Sequence, residues 1–450
     1  MKSRLRRNLL IFAAVVLLIL CVTLGGDKAG EISKKEKLPT NAKAAGVNSS
    51  DGIIETDGLS VYGDVTYAIS EETATGTDAF SEEPDVIEAE LPEEVDEVTK
   101  TVREMSVEDK VAQLFIVTPE KLTKTDGVTM AGEATEKAIK ETPVGGIIYM
   151  GDNLQAKTQV KEMLSNTNRY SIERIGLPMF LCVDEEGGTV ARVAGSGRFD
   201  VSNVGDMADI GASGTVEDAR QAGTTIGTYL SELGFNVDFA PVADVLTNPD
   251  NSIVKRRSFG SDSAVVSDMS IAVAEGLKSK GLEAVYKHFP GHGSTAGDTH
   301  LGAAFTNKSV DELSESELIP FQKAIDDGAS FIMVSHISAP GITGHDTPAS
   351  VSDILITDVL RGKMGYNGIV VTDAMDMGAI SQKYNSDEAA CLAIKAGADM
   401  ILMPADFEAA YNGVLNAVKS GEISEERLDE SVARIVKVKN NISDSGYPSR

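Results

Sequence analysis

From Thr99 onward the chain alternates two patterns: short, wholly apolar runs rich in Val, Ile, Phe and Met, and longer stretches whose apolar positions recur at helical spacing. The short runs are residues 114–117, 146–150, 179–183, 237–240, 284–286, 331–334, 368–371 and 400–403. Between them lie amphipathic stretches at 155–170, 216–233, 264–280, 311–326, 352–364 and 387–396, each long enough to return the chain for a parallel neighbour. Eight such units predict an α/β fold, a (β/α)8 barrel of TIM type rather than a doubly wound sheet, although periodicity alone leaves closure open. A last helix over 425–438 is expected against the barrel wall.

The segments after the apolar runs are polar. Asp184-Glu185-Glu186-Gly187-Gly188 comes after the third run and Pro241-Val242-Ala243-Asp244 after the fourth. The fifth leads into a glycine-rich loop, Lys287-His288-Phe289-Pro290-Gly291-His292-Gly293-Ser294-Thr295-Ala296-Gly297-Asp298-Thr299-His300. Ser335-His336 succeeds the sixth run and Thr372-Asp373-Ala374-Met375-Asp376-Met377 the seventh. In a barrel all these ends open onto one face, where such folds carry their chemistry. The chain has five histidines and none lies outside residues 288–345, so titratable imidazole is gathered at that face. Gly291, Gly293 and Gly297 make the histidine loop conformationally permissive, which predicts a loop that moves over a bound ligand.

Before Thr99 the pattern changes. Residues 1–7 are basic and 9–24 almost wholly apolar, which predicts an export signal or membrane anchor over 1–26. No small-x-small cleavage site succeeds the apolar core, which favours an uncleaved anchor on the extracytoplasmic face over a secreted form. Leu20 before Cys21 argues against lipidation. Residues 27–98 read as a disordered acidic linker without Lys or Arg between Lys43 and Lys100, and they account for much of the net charge of −28. The barrel is expected over 99–441, with a tail at 442–450. The acidity, with no basic stripe, excludes a nucleic-acid partner. Cys182 and Cys391 sit in apolar, element-like runs and read as buried thiols, their pairing left open.

Several of these residues have bland alternatives. Asp373 suits a helix N-cap, and Asp376 a surface or dipole-pairing position one turn into a helix. Glu185 and Glu186 read as a solvated pair or loop anchors. His288 and His292 stand four apart, as zinc ligands on a helix do, but Pro290 and Gly291 deny that helix, and no metal is expected.

The motifs together resemble glycoside hydrolase family 3, in particular its single-barrel β-N-acetylglucosaminidase branch acting on peptidoglycan fragments, and the resemblance spans the barrel. Lys-His-Phe-Pro-Gly-His-Gly followed by Asp-x-His carries it most specifically. The resemblance implies that Asp373 is the nucleophile of a retaining glycosidase, with His300 as proton donor and acceptor and Asp298 orienting it. It implies that Asp184, Arg192, Arg257, Lys287 and His288 hold the sugar, and that no cofactor is needed. An imidazole in the acid role is chemically sound, since histidine exchanges a proton near neutral pH and a neighbouring carboxylate fixes its tautomer. The implied activity is removal of terminal non-reducing β-linked N-acetylglucosamine from muropeptides or related saccharides. A phosphorylase on the same substrates and a non-catalytic wall-glycan binder are the rivals; absence of Trp and few Phe and Tyr speak against a stacking platform.

Overall fold

Each of the eight apolar runs overlaps a parallel strand. The computed structural model describes residues 96–295, 302 and 304–444, all within the unit Ala89–Arg450. The predicted anchor over 1–26, almost all of the predicted linker, and residues 445–450 lie outside the described residues. No described helix is long and apolar enough to cross a membrane.

The strands are β1 (Phe115–Val117), β2 (Gly146–Ile148), β3 (Phe180–Val183), the small hairpin β4 (Glu185–Gly187) and β5 (Val190–Ala191), then β6 (Val237–Asp238), β7 (Glu283–Phe289), β8 (Phe331–Val334), β9 (Ile369–Thr372) and β10 (Ile401–Leu402). The large sheet has the order β10-β1-β2-β3-β6-β7-β8-β9, all parallel. Its two ends meet: Thr372 N donates to Met400 O at 3.0 Å, and Met400 N to Val370 O at 3.0 Å, so the ring is nearly closed. Every residue of β1, β2, β3, β8 and β9 is buried. That is why the runs read as continuous rather than alternating: side chains face either the barrel interior or the surrounding helices, and neither face meets water. Each fully buried Val, Ile or Phe stabilises the fold by about 1.5–3 kcal/mol.

The helical layer tracks the predicted stretches with local differences. Residues 311–326 split into Val310–Ser314, started by a Ser309–Glu312 capping box, and Ile319–Asp326, started around Pro320. Residues Ile354–Lys363 wind as a π-helix. Helix Phe407–Lys419, capped by Asp406, lies outside the predicted stretches. Helices Val216–Leu233 and Ser263–Lys278 approach so closely that a Cβ on Gly223 would lie 2.2 Å from Val273 O and one on Gly276 2.4 Å from Arg220 O. The first helix, Glu97–Glu104, begins two residues before the expected boundary because Asp96 caps it.

The last helix, Glu425–Asp444, covers the N-terminal end of the ring. Lys439 is fully buried, donates to Gln113 Oε1 at 2.8 Å and lies 4.9 Å from the Phe180 ring centroid. Ser431 and Arg434 meet the buried Asp399 at 2.7 and 3.0 Å. Gln113, Phe180 and Asp399 stand at the starts of β1, β3 and β10, so this helix plugs the end opposite the polar loops. Cys182 and Cys391 are both free thiols, the first buried and the second only partly so.

Candidate active site

At the C-terminal end of β3 the chain passes Asp184 and enters the β4–β5 hairpin, where Glu185 and Glu186 point to opposite sides. The expectation of a solvated pair is overturned: their exposures are 0% and 4%. Glu185 does anchor a loop, accepting from Val193 N at 2.7 Å, Ala194 N at 2.8 Å and Tyr229 Oη at 2.8 Å, and burial raises its carboxyl above the ordinary value. Glu186 faces the barrel mouth. It accepts from Arg257 Nε and Nη2, both at 2.7 Å, and pairs with Lys287 Nζ at 2.7 Å. Burial alone would raise Glu186, but the two cations outweigh it and hold the carboxyl far below the usual range. The hairpin turns on Gly188, φ +56°, where a Cβ would lie 2.1 Å from Asp206 Oδ1.

Lys287, on β7, is 2% exposed, and its ammonium also donates to Asp184 Oδ1 at 2.9 Å. Burial works to deprotonate it; Asp184 and Glu186 reverse the effect and raise its value. The next residue, His288, lies between Arg257 and Asp244, with Nε2 3.2 Å from Arg257 Nη2 and Nδ1 2.7 Å from Asp244 Oδ2. A guanidinium only donates, so Nε2 accepts and Nδ1–H donates to the Asp244 carboxylate. Asp244 Oδ1 also accepts from the His292 amide at 2.6 Å, which ties the histidine loop to the segment that follows β6. Burial would raise Asp244, yet His288 and His292 hold it below its ordinary value. The rings of His288 and His292 meet edge to face with centroids 6.0 Å apart.

Across the mouth, Asp373 leaves β9 and anchors to the neighbouring strand through its amide, which donates to Val334 O at 2.8 Å. The helix-cap reading fails, because the next helix starts at Gly378 with Met377 as its N-cap; Asp373 Oδ1 instead accepts from Ala374 N at 2.8 Å. His336 steadies this turn by donating Nε2–H to Ala374 O at 2.9 Å. Burial would raise Asp373, but His336, His288, the Ala374 amide and Lys287 outweigh it and keep the carboxyl below the usual aspartate value. Asp376 is not inside a helix as expected; it stands in the turn before Gly378.

These residues line a cavity of about 330 Å³. Asp184, Arg192, Arg257 and Lys287, together with Glu186, form its charged wall with His288 beside them, Asp373 and Asp376 stand opposite, and methionines, Met150 and Met403 among them, supply apolar surface. Arg192 Nη2 is 3.9 Å from Asp184 Oδ2, and Arg192 Nε is buried without a hydrogen-bond partner among the described residues. Two hollows of about 400 and 530 Å³ beside helix Phe407–Lys419 contain none of these charged wall residues. Six of the eight residues singled out from sequence thus meet in one cavity, while Asp298 and His300 lie outside the described residues. Sequence reasoning missed Glu186 and Asp244 as the partners that fix Arg257, Lys287 and His288; the available signal was a lysine in a buried strand, which demands an anion. A wall of fixed donors facing an ionised carboxylate suits a polyhydroxylated ligand presented for nucleophilic attack.

The chain is similar to known proteins over most of its described length. The profile of the Glycosyl hydrolase family 3 N terminal domain matches residues 106–438. Beta-hexosaminidase A of Pseudoalteromonas piscicida is 32% identical over 341 residues, covering 70% of this chain and 56% of that protein. Beta-hexosaminidase LpqI of Mycobacterium tuberculosis is 33% identical over 344 residues, covering 74% of this chain and 83% of LpqI. The solved family 3 beta-N-acetylglucosaminidase of Paenibacillus sp. FPU-7 superposes with a TM-score of 0.71 at 36% identity, covering 76% of this chain and 63% of that one. The chain therefore spans little more than half of the Pseudoalteromonas relative. With the matched segment covering the whole ring of strands and the cavity at its mouth, the chain belongs to glycosyl hydrolase family 3.

Proposed function

We propose that the chain is a retaining β-N-acetylhexosaminidase that releases terminal non-reducing N-acetylglucosamine from peptidoglycan-derived or related saccharides. The observation that carries this reading is Asp373 facing Lys287, His288 and Arg257 across one cavity of about 330 Å³. The relatives named for hexosaminidase and β-N-acetylglucosaminidase activity give the sugar class.

In this reading Asp184, Arg192, Lys287, His288 and Arg257 grip the hydroxyls of the non-reducing sugar, and Glu186 holds two of those cations in place. Asp373, ionised because neighbouring cationic and dipolar groups favour the charged form, attacks the anomeric carbon and forms a glycosyl ester while the glycosidic C–O bond breaks. His300 gives its proton to the departing oxygen, and Asp298 orients the imidazole and balances its charge. Water then attacks the ester's anomeric carbon, His300 takes its proton, and the Asp373 carboxylate is regenerated. No metal or organic cofactor enters these steps. The N-terminal segment is proposed to hold the enzyme at the extracytoplasmic face.

The test is hydrolysis of chromogenic β-N-acetylglucosaminide and β-glucoside by the full chain beside Asp373→Ala, each with and without phosphate. Release from the first substrate, lost in the variant and independent of phosphate, supports the reading. Phosphate-dependent formation of sugar 1-phosphate assigns phosphorolysis instead, and glycan binding without turnover assigns a binding protein.

A further inference from the structure

The roles proposed for the cavity leave one of its acidic groups unused. Asp376 lines the same cavity as Asp373, yet it is exposed, whereas Glu186, Lys287 and His288 are 6% exposed or less. In a pocket entered from one side, the buried groups form the floor and the exposed ones the rim, so Asp376 stands where the chain leaving the bound sugar emerges. Among the described residues, no other side chain or amide donates a hydrogen bond to the Asp376 carboxylate, whereas the carboxylates of Asp184, Glu186 and Asp373 are engaged. Its surroundings are mixed. Burial of part of the group raises its carboxyl, Lys121 on helix Pro119–Thr123 pulls the other way, Asp373 raises it further and His336 lowers it. Lys121 donates to Ala405 O at 2.6 Å, and among the described residues it acts on Asp376 through its charge and not through a hydrogen bond. The rim also carries the half-buried Met403, which offers surface to a sugar ring but no charge.

We infer that Asp376 is an aglycone-specificity residue: its carboxylate favours a leaving sugar that bears an ammonium group over a neutral N-acetylated one, and among peptidoglycan-derived substrates it favours those whose lactyl carboxyl is capped by a peptide amide over those with free N-acetylmuramic acid. This rests on the glycosidase reading above and adds to it the charge of the group on the far side of the scissile bond. The physics is that of a rim charge, a Coulomb term in high dielectric that salt screens, worth about three- to fivefold in kcat/KM per unit charge.

The experiment compares three disaccharides in which N-acetylglucosamine is β-linked to glucosamine, to N-acetylglucosamine and to N-acetylmuramic acid, using the full chain and Asp376→Asn at about pH 6.5, where the glucosamine amine keeps its proton, at low and high salt. The ratio of kcat/KM for the glucosamine to the N-acetylmuramic substrate is read within each protein, which cancels differences in fold and concentration. The inference expects that ratio to fall by about tenfold in D376N, and the wild-type ratio to compress toward the variant's as salt rises. Equal ratios in the two proteins, with all three substrates cleaved, overturn the role of Asp376 and leave the glycosidase reading standing. Cleavage of none of the three by the wild type overturns both.

Discussion

Arg257 is held by Glu186 through two parallel hydrogen bonds, Nε to Oε2 and Nη2 to Oε1, each 2.7 Å. A fork-to-fork pair of this kind fixes the plane of the guanidinium as well as its position. The same carboxylate takes Lys287 Nζ at 2.7 Å, so one buried anion sets the direction of two cations from β7 and from the segment after β6.

Glu186→Gln is therefore expected to be costly. The neutral amide takes from two buried cations the anion they share, leaving Asp184 beside Lys287, with Asp244 and Asp184 acting on Arg257 without a direct ion pair, a loss of about 3–5 kcal/mol in urea denaturation. A pH effect accompanies it. The Glu186 carboxyl lies below its ordinary value of 4.5 when folded, so its contribution is fully present above that pH and is lost as pH falls through the folded value. The wild type should lose stability on the acid side of pH 4.5 more steeply than the variant, and matching acid slopes would contradict the arrangement.

Asp244 is a positioning group for His288. Asp244→Asn keeps the shape but removes the charge that favours a proton on Nδ1, and its amide nitrogen opposes Nδ1–H when turned toward it. Nitrogen NMR of the imidazole is expected to show Nδ1–H in the wild type and a mixture of tautomers in D244N, with kcat/KM reduced about tenfold or more. An unaltered tautomer with lowered activity would mean that Asp244 acts only by anchoring the His292 amide.

Much of the barrel is legible in the chain because a strand covered on both faces must be apolar throughout, and runs such as 331–334 coincide with their strands. The site residues are legible as types at strand ends. Their partners are not. Glu185-Glu186 looks solvated in one dimension, since only the three-dimensional hairpin shows that one side chain meets Tyr229, 44 residues away, and the other Arg257, 71 residues away. The spacing of Asp376 from Asp373 suits one turn of helix, whereas the helix is delayed to Gly378.

Gly293 suggests loop motion in the sequence, but close contact explains it in the fold. A Cβ there would lie 2.0 Å from Val245 O and 2.5 Å from Val245 C. The loop packs against that segment with Asn248 N donating to Gly293 O at 3.0 Å and Asn251 Nδ2 to His292 O at 2.8 Å. Gly293→Ala should push the loop outward, costing about 1–3 kcal/mol of stability. Activity should fall with it, because His288 and the Asp244 contacts share that loop. A variant with wild-type melting temperature and turnover would show that the segment yields freely.

Lys439 offers a test of the barrel's other end. It is fully buried from the last helix, and burial lowers its ammonium from 10.5 to about 7. A lysine depressed on folding opposes the fold. Below pH 7 it is protonated in both states and its cost is complete; from about 7 to 10.5 only the unfolded chain keeps the proton, so stability rises with pH. The span corresponds to a cost on the order of 4–5 kcal/mol at most. Lys439→Met removes that term and leaves Gln113 Oε1 without its donor, a loss of about 1–3 kcal/mol. Urea denaturation at pH 7 and pH 10 should find the variant gaining on the wild type at the lower pH and trailing it at the higher. Parallel pH dependences in the two proteins would mean that Lys439 keeps its ordinary proton affinity inside the fold.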